Sequence, residues 1–207
     1  MKDLRKKIIK RTKRIVVKVG SVVVASGKAG SSDIFSRLAA DIDEIRRTGR
    51  DVVIVSSGAI ALGMEKLGLK GRPAAIPERQ AVAAVGQGSL MSRYEAAFSK
   101  RGMRVAQVLL THDDLGSRKR FLNARNTLST LLRFGIVPVV NENDTVAVEE
   151  IKFGDNDELS ALTTNLMEAD LLVILSDIDG LYVRDPKKEP GVAWKMPLVE
   201  DGDSHRL

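Results

Sequence analysis

The chain has 207 residues, 43% hydrophobic and 29% charged, which provides for a sizeable buried core and excludes wholesale disorder. It has no cysteine, so disulfides, thiolate zinc sites and cysteine nucleophiles are excluded, and a reducing compartment suits it. The formal charge of +6 invites a nucleic-acid reading, but residues 1–14 hold eight of the 33 Lys+Arg and only one of the 27 Asp+Glu. That leaves 25 basic and 26 acidic side chains in residues 15–207. The basic character belongs to an N-terminal arm, 1–13, while the body from 14 to 207 is neutral. No nucleic-acid partner is expected.

No apolar run approaches the ~18–20 residues that span a bilayer. The N-terminus lacks the apolar stretch and small-residue cleavage site of a secretory signal. No membrane partner is expected, and the cytoplasm is the expected compartment. Asn143-Asp144-Thr145 matches a glycosylation sequon, read here as chance.

In chain order, Arg14–Val19 (RIVVKV) is β-branched and apolar and ends at Gly20, so it reads as a strand. A Gly- and Ser-rich loop follows, with Ser32 or Asp33 as an N-cap. Ile34, Leu38, Ile42 and Ile45 recur at helical spacing, and Gly49 stands where a C′ glycine belongs. Asp51–Ser56 (DVVIVS) has the pattern of a strand buried on both faces. A helix from Ser57-Gly58 to about Leu67 comes next, then a long one opened by Pro77 and reaching about Lys100.

Met103–Leu110 reads as a strand, Asn123–Phe134 as a helix and Ile136–Val140 as a strand. Thr145–Phe153 suits a hairpin, Asp157–Ala169 a helix and Leu171–Leu175 another buried strand. The alternation predicts one α/β domain, a three-layer sandwich with a mainly parallel central sheet flanked by helices. In such folds ligands gather at the carboxyl ends of the strands. Four of those ends are polar, small or acidic: Lys18-Val19-Gly20-Ser21, Ser56-Ser57-Gly58-Ala59, Asn141-Glu142-Asn143-Asp144 and Ser176-Asp177.

Lys18 beside Gly20 and Ser21 suits phosphate, because an ammonium stands next to backbone without Cβ bulk. Ser57 and Gly58 at a helix start offer donors to a carboxylate or phosphate, or Ser57 simply caps the helix. The clusters 141–144 and 155–157 can receive an ammonium group, hold a divalent cation through oxygen, or simply form turns. Several alternatives fail on spacing. No G-x-x-x-x-G-K-[ST] and no protein-kinase motif occurs. Gly86-Gln87-Gly88 lacks a third glycine at residue 91, and a calcium loop counted from Asp177 meets Leu181 and Lys188 where oxygen ligands are needed. His112, Trp194 and His205 are isolated.

Six segments, RIVVKVGS (14–21), VIVSSGAIALG (53–63), AAVGQGSLM (83–91), FLNARNTL (121–128), VPVVNENDTVAVEEIKFGDNDELSAL (137–162) and LLVILSDIDGLYVRDP (171–186), together resemble the amino-acid kinase family. SGAI-x-x-G, FLNAR and NEND with GDND resemble the branch of that family that phosphorylates glutamate. The resemblance implies transfer of the γ-phosphoryl of MgATP to the side-chain carboxylate of L-glutamate, the first step of proline synthesis. It also implies the roles of residues. Lys18 would stabilise the transferring phosphoryl, and Gly20 and Ser21 would line the phosphate turn. Ser57, Gly58 and Ala59 would bind glutamate, while Asn141, Asp144, Asp155 and Asn156 would read its head group. Asp157 would orient the lysine, and Ser176 and Asp177 would contact the nucleotide. Ser176 stands where the family often has Thr, and keeps the hydroxyl.

Magnesium would be held mainly by the nucleotide phosphates, with no protein metal site. Proline as a feedback inhibitor, a homodimer or tetramer, and glutamyl phosphate reductase as a working partner are further family expectations. The family's G-x-G-G-M-x-T-K segment does not occur before Leu207, nor does a PUA domain, so a kinase domain cut in its nucleotide-binding part is expected. Three other readings stay open beside this one. They are the kinase part of a bifunctional pyrroline-carboxylate synthase, another carboxylate kinase of the fold, and an inactive glutamate- or proline-binding protein.

Overall fold

The structure, a computed structural model, describes residues 2–25, 34–147, 156–178, 180–184, 188 and 195–196. The chain divides into two compact units, Met1–Leu175 and Ser176–Leu207. The first carries helices α1 (Lys2–Arg11), α2 (Ser21–Ala25), α3 (Ile34–Arg47), α4 (Ala59–Leu67), α5 (Ile76–Ser99), α6 (His112–Gly116), α7 (Arg118–Arg133) and α8 (Asp157–Leu166). Its strands are β1 (Arg14–Val19), β2 (Asp51–Ser56), β3 (Arg104–Leu110), β4 (Ile136–Glu142) and β5 (Leu171–Leu175). All pair in parallel, in the order β3-β4-β2-β1-β5. The described part of the second unit includes an antiparallel bridge between Tyr182 and Lys195. Among the described residues, no helix is long and apolar enough to cross a membrane.

The expected α/β sandwich is therefore present, and its layers follow from strand geometry. Side chains alternate faces along a strand, so each central strand feeds two cores. Ile15, Val17 and Val19 of β1, with Val52 and Ile54 of β2 and Val137 and Val139 of β4, pack against α3 and α5. Val16, Val53, Val55 and Val140 pack with Leu128 of α7 and Leu166 of α8 on the opposite side. The continuous apolar runs of β1 and β2 reflect this double burial.

Several details differ from the sequence reading. The basic arm forms α1; the carbonyls of its Ile9 and of Thr12, just past its end, accept from Arg50. The Gly/Ser loop begins with α2, and α7 starts five residues before the expected Asn123. The helix expected to run to Ala169 ends at Leu166. The sequence pattern predicts a buried β5, but among the described residues it pairs only with β1, at the edge of the sheet, and Ile174 is exposed. The N-cap positions 32–33, and the expected hairpin beyond Ala147, lie outside the described residues.

Two packing devices hold this frame. Helices α4 and α5 touch backbone to backbone through glycines. A Cβ on Gly86 would collide with the carbonyl of Ala59, and one on Gly63 with the carbonyl of Val82. At the amino edge, Asp170 Oδ2 accepts from the backbone N–H groups of Lys13 (2.7 Å) and Arg14 (2.9 Å). Its own N–H donates to Arg14 O at 3.0 Å. The backbone bonds from Arg14 and then Lys13 hold the Asp170 carboxyl below the usual carboxylate range.

Two outcomes follow. Gly86→Ala is expected to lower unfolding stability by at least about 2 kcal/mol in denaturant titrations, because backbone must move. Asp170→Asn is expected to lower the unfolding midpoint at neutral pH. A depressed native pKa contributes stability above the unfolded value and loses it as pH falls, so the gap between variant and wild type should close below about pH 4.

Candidate active site

The same alternation sorts the polar residues at the carboxyl edge. Lys18 shares the parity of Val16 and faces the α7/α8 side, where it is only 5% exposed. Ser56, Asn141 and Gln107 share the parity of Ile54, Val139 and Val105, so they face α5. The start of α8 reaches both groups. Asp157 accepts from Lys18 Nζ at 2.6 Å, and its neighbour Asn156 joins the amides.

A buried ammonium needs a partner, and Asp157 supplies it from a position favoured by the helix dipole. The Asp157 side chain is 49% exposed against 7% for Lys18, so the pair is open to solvent on the carboxylate's side. Gly20 contributes space more than a donor. Its N–H is taken by Leu175 O at 3.2 Å, while a Cβ there would stand 3.9 Å from Lys18 Nζ. Ser21 opens α2 with an exposed side chain.

On the other side of the edge, Asn156 Nδ2 donates to Ser56 O (3.0 Å) and to Asn141 Oδ1 (2.8 Å). Asn141 Nδ2 donates to Gln87 Oε1 at 2.8 Å, and Gln87 Nε2 to Gln107 Oε1 at 3.1 Å. Tyr94 O–H donates to Ser56 Oγ at 2.9 Å. Burial pushes the Tyr94 hydroxyl far above the usual tyrosine range, against a weaker downward pull from Ser56, so it stays a neutral donor.

Ser57 is half-buried, its N–H donates to Val19 O at 2.9 Å, and its hydroxyl makes no hydrogen bond among the described residues. It does not cap α4; that position belongs to Gly58, at φ 108° and with Val24 Cγ1 2.6 Å from where a Cβ would stand. Gly58 and Ala59 are thus buried where the chain must turn left-handed and pass close to α2. Asp144 lies half-buried in the turn after β4. Asp155 lies outside the described residues. Ser176 and Asp177 belong to the second unit, where the Ser176 hydroxyl donates to Asp177 Oδ1 at 3.4 Å.

The structure thus brings together Lys18, Gly20, Asn141, Asn156 and Asp157, with Ser57 at the neighbouring strand end. Sequence reasoning missed Ser56, Tyr94, Gln87 and Gln107 as members of the network. The usable signal was Gln87 itself, a polar side chain beside the buried face of α5 formed by Ala83, Gly86 and Leu90. Of the isolated residues, His112 stands 3.9 Å from Glu158 Oε1, and Trp194 and His205 lie outside the described residues. The donors and acceptors at this edge can fix a small zwitterion and neutralise a neighbouring phosphate.

Comparison with known proteins agrees with this chemistry. The chain is similar to proteins named glutamate 5-kinase. It is 58% identical to the one from Geobacter metallireducens over 188 residues, 90% of this chain and 50% of that protein. It is 56% identical to that of Geobacter sulfurreducens over 197 residues, 95% and 52% of the two chains. With that of Cupriavidus metallidurans it shares 58% over 188 residues, 90% and 50%. The chain spans about half the length of these curated relatives. The model of the amino acid kinase family matches residues 13–194, and with this fold and this carboxyl edge the chain belongs to the amino acid kinase family.

Proposed function

We propose that this chain transfers the γ-phosphoryl of ATP to the side-chain carboxylate of L-glutamate, forming L-glutamyl 5-phosphate as the entry step to proline. The observation that carries the reading is a buried lysine, paired with a half-exposed aspartate, beside an amide cluster at the carboxyl edge. The names of the relatives support glutamate as the acceptor. The division into a basic arm at 1–13 and a kinase domain from 14 onward belongs to the same reading, as do cytoplasmic location, a homodimer or tetramer, proline inhibition and a reductase that takes up the product.

The chemistry needs little from the protein beyond placement and charge. A glutamate side chain, with reference pKa of ~4.3, is ionised at neutral pH, so no general base is required. Its carboxylate oxygen attacks the γ-phosphorus, the bond to the β–γ bridging oxygen breaks, and ADP carries away that electron pair. Lys18 sits where charge on the transferring group can be met by a fixed ammonium. Asp157 holds that ammonium in place and compensates its burial. Ser57, with Gly58 and Ala59, receives the acceptor, and Asn141, Asp144, Asp155 and Asn156 read its head group. Ser176 and Asp177 take the nucleotide side, as do Gly20 and Ser21.

Magnesium fits as a companion of the nucleotide. Among the described residues no three His, Asp or Glu side chains gather, and the Asp157 carboxylate is already engaged by Lys18. The phosphates would hold the ion, and it would neutralise part of their charge.

Lys18→Ala is expected to lower glutamate-dependent ADP release at least ~100-fold while the circular dichroism spectrum is unchanged; near-normal turnover would remove Lys18 from the mechanism. Asp144→Ala is expected to raise the KM for glutamate about tenfold, in line with loss of one charge-assisted contact, and leave the KM for ATP alone. A change confined to ATP would reverse the division of the site.

A further inference from the structure

The amides at the carboxyl edge form one hydrogen-bonded chain with a fixed direction. The carbonyl of Ser56 can only accept, so Asn156 must turn its Nδ2 toward it. The second proton of that Nδ2 reaches Asn141 Oδ1. Asn141 therefore presents its Nδ2 to Gln87, and Gln87 presents its own Nε2 to Gln107. Reversing Asn141 or Gln87 would set donor against donor on one side and acceptor against acceptor on the other. Cooperative polarisation along the chain strengthens the same direction.

The consequence lies at Asn156. Both of its donors are consumed, and its Oδ1 makes no hydrogen bond among the described residues. An acceptor is left over beside Lys18's partner Asp157, in a residue only 7% exposed. Such an oxygen suits a donor-bearing cation, the α-ammonium of a free amino acid.

Gln87 is what closes the chain on the α5 side. Asn141 is 2% exposed, and the contact to Gln87 is the one that satisfies its amide donor. Without that acceptor the Asn141 amide loses its anchor and rocks, and Asn156 moves with it. We propose that Gln87 is a positioning residue for amino-acid recognition, holding Asn141 in the orientation that leaves Asn156 Oδ1 to accept the substrate's α-ammonium. This rests on the reading of glutamate as substrate.

Calorimetric titration of the full chain with L-glutamate and with glutarate, the same dicarboxylate without the amine, tests it. Gln87→Met keeps the volume and removes the acceptor. It is expected to weaken glutamate about tenfold, the usual consequence of one orphaned buried donor, and to leave glutarate within about twofold. Gln87→Glu keeps an acceptor toward Asn141 and is expected to stay within about twofold of wild type for glutamate. Should Gln87→Met not fold, judged by its melting curve, the shorter Gln87→Leu takes its place with the same expectations. Unchanged glutamate binding in these variants, or equal loss of both ligands, would overturn the role of Gln87 while sparing the substrate. A wild-type chain that binds no glutamate would overturn the substrate reading and this inference with it.

Discussion

The two-residue period of the parallel strands decides where each reactive group can stand. Along β1 it sends Lys18 to the α7/α8 side, and along β2 and β4 it sends Ser56 and Asn141 to the α5 side. A shift of one residue in any of these strands would exchange the faces and dissolve the site. Charge and amides are thereby separated by the thickness of the sheet edge. Two consecutive residues at the start of α8 rejoin them, Asn156 to the amides and Asp157 to the ammonium. One helix start thus sets the distance between the buried ammonium and the amide cluster.

The Lys18–Asp157 pair is better understood as pre-organisation than as a source of stability. Ion pairs with a buried member seldom outperform apolar packing, because the desolvation of the charge offsets most of the attraction. The position is nonetheless over-determined: Lys18 is buried within β1, and Asp157 stands in the first turn of a helix. A positive charge held in this way costs no reorganisation when an anion arrives. The exposed side of the pair is the aspartate's, while the ammonium stays buried.

Much of this was legible in the sequence, for physical reasons that differ by element. The runs RIVVKV and DVVIVS are buried on both faces, and such strands leave only their ends for chemistry, which pointed to Lys18 and Ser57, as the polar end of β4 pointed to Asn141. The edge position of β5 was not legible, since LLVIL reads the same whether one neighbour or two pair with it. Helix α2 was hidden by its short length, five residues of which only Val24 is buried. Gln87 escaped because a helical pattern announces which side packs, as Ala83, Gly86 and Leu90 do, and is silent about a hydrogen bond to a residue 54 positions away. Gly58 was read as part of an anion-binding turn, but its positive φ and its fit against Val24 give it a steric reason as well.

The distribution of charge follows from the same geometry. Helix α1 ends three residues before β1 begins, so the arm's lysines and arginines lie toward the amino edge of the sheet, while the candidate site lies at the carboxyl edge. A six-residue strand separates them, about 20 Å at ~3.3 Å per residue. That exceeds two Debye lengths of about 8 Å at physiological salt, so exposed arm charges are largely screened there. The neutral remainder of the chain adds little net field. The local field at the carboxyl edge therefore depends on near neighbours such as Lys18 and Asp157 far more than on the arm.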